Sequence, residues 1–269
     1  MSSTTKALTL LSHFSTKRPE IGLSQLCRLA GRDKATTYRH LQALETAGFV
    51  EQNPATKHYR LGPAIMHLAQ VREATVPRET GAINVIKELA DATGETAHVT
   101  VLSGSTLYGL SACESPHHAT RAVIDINIFP LHATASGLCA LAFGPEDLFQ
   151  TALTKMENFT SATPATPEAL ADLVAHIRLT GFGQADQIYE DEIQAIAAPV
   201  FDHTGNFAGA VAVASVASRF TSELEKTIKA ELTIAAHEIT RNWGGVIPAQ
   251  IEKAWAASTT HSNTLEPTS

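Results

Sequence analysis

The sequence predicts a two-domain α+β protein, a small winged helix-turn-helix head followed by a larger body of antiparallel strands covered by helices. Three observations carry this. Residues 1–63 run helix, helix, turn, helix, hairpin. Strand-like patterning returns twice later in the chain, each time flanked by helical periodicity. The charge is also divided: the first 75 residues hold ten Lys/Arg against five acids, a net of +5, while the rest hold ten against twenty-two, a net of −12. A basic head on an acidic body places any polyanionic partner at the head.

Composition sets the outer bounds. With 269 residues, 44% hydrophobic and 17% charged, and a mean hydropathy of −0.01, the chain reads as globular rather than disordered, collagenous or disulfide-scaffolded. The longest apolar stretch, residues 133–143, is interrupted by Thr, Ser and Gly and is shorter than the ~20 residues of a membrane span. The early apolar run 7–11 has no cleavage site after it, so no secretory signal is expected and the chain is expected to start near Met1. Cys27, Cys113 and Cys139 are widely spaced without a Cys-x-x-Cys pair, which fits a reducing cytoplasm.

In the head, Ala7, Leu8, Leu11 and Phe14 keep helical spacing until Pro19 and Gly22. A second helix over 24–30 puts Leu26, Leu29 and Ala30 on one face and stops at Gly31. Asp33 is the expected N-cap of a third helix, with Tyr38, Leu41 and Leu44 inward and Gly48 closing it. Thr36, Arg39, His40 and Ala43 are then expected to face outward. Residues 49–52 and 57–61 read as two strands around the turn 53–56. Gly62-Pro63 ends the hairpin, a connecting helix is expected over 64–73, and 75–77 mark a domain border.

The body opens with an amphipathic helix over 80–93 stopped by Gly94, then two strands, 96–102 and 106–112, joined by Ser103-Gly104-Ser105. Helices are expected over 136–143, 146–153 and 167–179, the last with Thr166 as N-cap and proline at its first position. Strands 193–201 and 207–214 flank the turn 202–206. A capping-box spacing at Ser222-Glu223-Leu224-Glu225 precedes a long helix to about residue 243, and the Thr/Ser-rich end from 258 reads as frayed. The expected divisions are 1–63 for the head, 64–79 for a linker helix, 80–245 for the body and 246–269 for a tail.

The third helix presents Lys34, Thr36, Thr37, Arg39 and His40 at its front, where donors reach phosphates and base edges if the helix enters a major groove; a solvated, charged helix face has the same pattern. Lys57 and His58 on the wing can add backbone or minor-groove contacts. In the body, the run 132–137 leads into a helix, so N–H groups near Ala135, Ser136 and Gly137 can hold an anion, or be an ordinary helix start capped by Thr134 or Ser136. His98, Cys113, His117, His118 and His132 match no compact metal signature, so no metal and no cofactor is expected, and His98 reads as polar pocket lining. No Gly-x-Ser-x-Gly, His-Glu-x-x-His, Walker or dinucleotide motif occurs, which argues against an enzyme.

Specific segments carry a resemblance. Residues 34–41, Lys-Ala-Thr-Thr-Tyr-Arg-His-Leu, and the wing 59–63, Tyr-Arg-Leu-Gly-Pro, resemble the DNA-binding half of the IclR family of bacterial transcription regulators. The segments 131–137, Leu-His-Ala-Thr-Ala-Ser-Gly, and 196–205, Ile-Ala-Ala-Pro-Val-Phe-Asp-His-Thr-Gly, resemble its second half, in the same order. The similarity spans about residues 4–243. It implies a winged helix-turn-helix joined by a linker helix to a GAF-like effector-binding domain, with operator DNA and a small metabolite as partners, acting as a homodimer or tetramer. Where the family has a loop glycine, Glu192 stands here, with Asp186, Glu190 and Asp191 as the nearby acids. Where the family has ligand-touching serines, Ala212 and Ala214 stand, beside Ser215.

The resemblance places Arg121 in a pocket-lining stretch, where its guanidinium can hold a carboxylate bidentately or form a surface ion pair. Phe129, Leu131, Ile193, Ala195, Ala212 and Ala214 become the pocket wall, each also compatible with plain core. With few hydroxyls on that wall, a small organic carboxylate is the expected effector. A metal-sensing or a constitutive DNA-binding regulator are the alternatives.

Overall fold

A computed structural model describes residues 2–15, 18–75, 78–125 and 127–260. Val76 and Pro77, expected at the domain border, and the end beyond residue 260 lie outside the described residues. The chain divides into two compact units, residues 1–76 and 77–269.

The first unit contains α1 (Ser3–Leu8), a 3-10 turn (Leu11–His13), α2 (Leu23–Ala30), α3 (Lys34–Thr46), β1 (Val50–Gln52), β2 (Tyr59–Leu61) and α4 (Pro63–Thr75). Each boundary has a local cause. Gly31 takes φ +60° to end α2, and Asp33 Oδ1 accepts from Thr36 N at 2.8 Å to start α3. After α3, Gly48 turns at φ +74°, and a Cβ on Gly62 would lie 2.2 Å from the Gly48 carbonyl oxygen, so the wing folds back on a contact only glycine permits. β1 and β2 pair antiparallel with Glu51 opposite Arg60. Leu10, Ile21, Leu26, Leu41, Leu44, Val50 and Tyr59 form the core.

The inward stripe of α3 differs from the one expected. Thr37 (0% exposed), His40 (5%), Leu41 and Leu44 are buried, whereas Tyr38 is 44% exposed. Positions 37, 40, 41 and 44 make a continuous helical stripe; of its two polar members, Thr37 Oγ1 donates to the Asp33 carbonyl at 2.8 Å, and His40 Nε2 lies 3.2 Å from Ser3 Oγ of α1 while its Nδ1 has no hydrogen-bond partner among the described residues.

The second unit is a five-stranded antiparallel sheet in the order β4-β3-β7-β6-β5. Its strands are β3 (Thr96–Ser103), β4 (Thr106–Cys113), β5 (Gly183–Asp186), β6 (Ile193–Phe201) and β7 (Phe207–Val216). Helices α5 (Thr80–Thr93) and α9 (Ser222–Asn242) cover one face, and α6 (Ala135–Phe143) packs on the other, backed by α8 (Pro167–Thr180), with α7 (Asp147–Leu153) against α6. The cap of α9 is Thr221, whose Oγ1 accepts from Leu224 N, one residue before the expected capping box.

Side-chain size alternates along the central strands. Ile196, Ala198 and Val200 of β6 and Val211 and Val213 of β7 pack into the core under α5 and α9, while Ala197, Ala210 and Ala212 belong to the core under α6. The face toward α6 is therefore shallow, and α6 sits close to it. A Cβ on Gly183 would fall 2.3 Å from the Ala135 carbonyl oxygen, and one on Gly137 2.3 Å from that of Pro130.

Two elements were not expected. β5 is an edge strand of four residues, Gly-Gln-Ala-Asp, without an apolar alternation to betray it. Residues 246–269 were expected as a tail, but α10 (Ala249–Thr260) is a helix that buries Ile251 and Trp255 in the core. Trp255 Nε1 donates to the Gly181 carbonyl at 2.8 Å, and its ring lies 6.1 Å from that of Phe182. The large apolar area of the indole outweighs the polar residues around it. Trp255→Ala is expected to destabilise the C-terminal unit by about 3–5 kcal/mol in urea unfolding; a loss below ~1 kcal/mol would mean that α10 contributes nothing to this core.

Candidate functional site

The outward face of α3 is built by the capping of its N-terminus and the burial of its opposite stripe. Lys34, Ala35, Tyr38, Arg39, Gln42, Ala43 and Thr46 are exposed, and Gln42 Nε2 donates to Tyr38 Oη at 3.1 Å. Thr36 is half-buried at the capped end. Burial, reinforced by Arg39, Arg32 and Lys6, lowers the pKa of His40, so this ring is neutral at physiological pH. Thr37 and His40, expected to reach DNA, instead point into the head; Tyr38 and Gln42 take their place on the accessible face. Gln42 sits at i+7 from Ala35 and i+4 from Tyr38, a spacing from which this face was readable.

Other basic groups of the head are engaged in the fold. Arg32 donates to the Lys6 carbonyl and to Thr9 Oγ1, and Arg60 pairs with Glu51 and Glu20. Lys34 and Arg39 on α3 and Lys57 and His58 on the wing are exposed. Lys57 adopts φ +58° at the turn, where Asn53 Oδ1 accepts from the Ala55 and Thr56 amides.

The second unit holds a partly open pocket between the α6 side of the sheet and the loop after β4. Ser115 Oγ donates to the Gly94 carbonyl, Thr96 Oγ1 to that of Ala122, and Arg219 Nη1 to that of Thr120. Arg219 is itself held bidentately by Glu95 at 2.9 and 3.0 Å. These bonds fix the loop so that 122–125 form one wall. Ile193, Ala195 and Ala214 form the strand side, and Phe129, Ala133, Thr134 and Ala135 another.

The polar groups at this cavity are few. His98 is 5% exposed; its Nε2 lies 3.3 Å from Ser136 Oγ, its ring stacks on Phe129 at 5.1 Å, and its Nδ1 has no hydrogen-bond partner. Burial pushes its pKa down to about 4, so it offers a hydrogen bond without a charge. Thr134 Oγ1 caps α6 by accepting from Gly137 N at 3.0 Å, and Leu138 N bonds the Thr134 carbonyl. The Ala135 and Ser136 amides are the first two of the helix and have no intrahelical acceptor. Asp125 and Glu190 also line the cavity, and burial, with Asp125 beside it, raises the Glu190 carboxyl above its usual range.

The expected site residues are thus partly reunited. His98, Phe129, Ala135, Ile193, Ala195 and Ala214 line the cavity, and Ser136 touches it through His98. Arg121 does not line it: its Nε and Nη2 lie 2.6 and 2.5 Å from Glu114 Oε2, which absorbs the guanidinium on the outer side of the loop. Asp186 faces a separate polar groove and accepts from Gln194 and Gln187. Gly137 spends its amide on Thr134, and Ala212 is core beneath the wall. Tyr189 and Glu190 line the cavity unforeseen in that role, whereas Ala122 belongs to the stretch around Arg121 that the resemblance placed at the pocket. Among the described residues, no three of His, Cys, Asp and Glu gather as metal ligands, and no helix is long and apolar enough to cross a membrane.

Comparison with known proteins places both units. Residues 3–54 match the IclR helix-turn-helix domain, and residues 79–241 match the C-terminal domain of the bacterial transcriptional regulator IclR. The HTH-type transcriptional regulator XynR of Escherichia coli (strain K12) is 26% identical over 244 residues, covering 90% of this chain and 97% of XynR. The crystal structure of an IclR transcriptional regulator from Silicibacter sp. TM1040 superposes with a TM-score of 0.82 at 38% identity, over 93% of this chain and 99% of the other. An IclR homolog from Microbacterium hydrocarbonoxydans, crystallised with 4-hydroxybenzoate, shares the fold with a TM-score of 0.55 at 22% identity, over 90% of this chain and 99% of that one. With a DNA-binding head and a cavity-bearing body each matched to its own half of one regulator architecture, the chain belongs to the IclR family of bacterial transcriptional regulators.

Proposed function

We propose that this regulator answers to a small organic carboxylate bound in the pocket between α6 and the loop after β4, with its head at the N-terminus of α6 and its apolar body against the alanine-rich wall. One observation carries the reading: the Ala135 and Ser136 amides, without helical acceptors, stand beside a buried His98 whose Nδ1 lacks a partner. A buried polar atom left unpaired is costly, and a ligand oxygen or hydroxyl would satisfy it. The helix dipole favours an anion there. Asp125 and Glu190 disfavour a second negative charge, so a monoanion is preferred to a dianion.

On the DNA side, Lys34, Thr36 and Arg39, together with Tyr38 and Gln42, form the reading face of α3, and Lys57 and His58 on the wing touch the backbone. One such helix reads only a few base pairs, so the protein acts as a homodimer or tetramer on repeated half-sites. The effector shifts operator affinity by binding one arrangement of the oligomer better than another, through the segment 64–79 that joins head and body.

Arg39→Ala is expected to weaken operator binding roughly 5- to 150-fold in gel-shift titration, the worth of about 1–3 kcal/mol at a base or phosphate contact. Thr37→Ala is expected to lower the melting temperature, through loss of its bond to Asp33, while operator affinity stays within about threefold. Equal losses of affinity in both variants, with no change in melting, would contradict this assignment of faces.

For the effector, calorimetric titration of candidate carboxylates is expected to show less than about threefold loss in Arg121→Ala and roughly two- to tenfold loss in His98→Phe. A large loss in the first and none in the second would overturn the proposed head-group site. The pH dependence has a definite sign. Glu190, with its carboxyl held above the usual range, takes up a proton before ordinary carboxyl groups as pH falls, removing a repulsion. Carboxylate affinity is therefore expected to rise as pH falls from neutrality toward the ordinary carboxyl range. Glu190→Gln should bind more tightly at pH 7 and lose most of that slope, since His98 stays neutral throughout.

A further inference from the structure

A second cavity adjoins Phe129 and is lined by Leu107, Leu131, Ala152 and Phe159, with Lys155 and Glu157 also on its wall. Among the described residues that line the two cavities, Phe129 is common to both. The residue is 3% exposed although it contributes to the lining of both spaces. The backbone there cannot move easily, because Phe129 N donates to the Leu107 carbonyl at 2.9 Å and Gly109 N donates to the Asn127 carbonyl nearby. The ring is held on one side by its 5.1 Å stack on His98. A neighbouring aromatic contact continues the wall: Tyr189, from the first cavity, lies 4.8 Å from Phe159, from the second.

We infer that Phe129 is a specificity-determining partition, setting the greatest length of effector that the first cavity accepts and separating it from space that would otherwise admit a longer chain. The second cavity is largely apolar at the partition, through Leu107, Leu131 and Phe159, so what lies beyond the ring suits methylene groups. Each methylene buried there is worth about fourfold in affinity. The inference rests on the proposal that the effector binds in the first cavity, but it does not depend on the charge of the effector's head.

The test uses the full chain and two homologous series of probes, straight-chain carboxylic acids from butanoate to dodecanoate and the matching primary alcohols, titrated calorimetrically into wild type, Phe129→Ala and Phe129→Leu. Wild type is expected to gain about fourfold per methylene up to a cut-off length and then to lose affinity. Phe129→Ala is expected to move the cut-off outward by roughly two or more carbons, with Phe129→Leu between, since truncating the ring joins the two spaces. If Phe129→Ala does not fold, the Leu variant alone carries the comparison. A shifted cut-off among the alcohols with no binding of any acid would uphold the partition and refute the carboxylate head. The same cut-off in all three proteins, or no binding of either series to any of them, would overturn the partition.

Discussion

The body of this protein depends on a segregation of side-chain volume across one sheet. Alternation along β6 and β7 sends Ile196, Val200, Val211 and Val213 to the core under α5 and α9, and reserves Ala197, Ala210 and Ala212 for the side of α6. The first side is close-packed like any interior. On the second, the short side chains and the bare backbone of Gly183 on β5 let α6 settle so near the sheet that a single added methyl group would strike the Ala135 carbonyl oxygen. Where α6 begins, alanines from β6 and β7 leave space unfilled. The cavity and the helix N-terminus that faces it are two results of the same distribution.

That arrangement also accounts for the polar economy of the site. A wall of alanines has no hydroxyls, so the polar groups at the cavity come from elsewhere: His98 from β3, the first turn of α6, and the acids of two loops. The loop after β4 is bound at its base by Glu95 and Arg219, a bidentate pair whose carboxylate side chain is 2% exposed. Breaking a buried pair of this kind leaves a stranded charge, so the loop's position is strongly determined. Arg121 sits on that loop and is turned outward to Glu114. A cation inside would have neutralised Asp125 and Glu190; among the described residues, the lining carries these two acids and no Lys or Arg.

Much of this was legible in the sequence, and the parts that were not have physical reasons. Helix limits were readable where a capping side chain or a glycine marks them, as at Asp33, Gly94, Thr134 and Thr166, because these signals act within a few residues. The strand pairs 96–102 with 106–112 and 193–201 with 207–214 were readable from alternation and turns. β5 was not, since an edge strand of Gly-Gln-Ala-Asp gains its place from the hydrogen bonds of β6 rather than from its own pattern. α10 was hidden by its nearness to the Thr/Ser-rich end, and the burial of Trp255 that holds it is a tertiary fact. The inward turn of Thr37 and His40 was missed because polarity was read as exposure; inside the head Thr37 Oγ1 bonds the Asp33 carbonyl and His40 Nε2 meets Ser3 Oγ, while His40 Nδ1 has no partner among the described residues. The fate of Arg121 depended on which of several acids would fold within reach.

The central claim is that effector recognition is centred on the N-terminus of α6 rather than on a basic side chain. The most direct measurement is the amide and guanidinium NMR spectrum of the isotopically labelled protein during titration with a carboxylate that binds. The account predicts that the Ala135 and Ser136 amide signals shift downfield and saturate with the calorimetric affinity, while the Arg121 Nε–H signal stays in place. A spectrum in which Arg121 moves on binding and those two amides do not would contradict it.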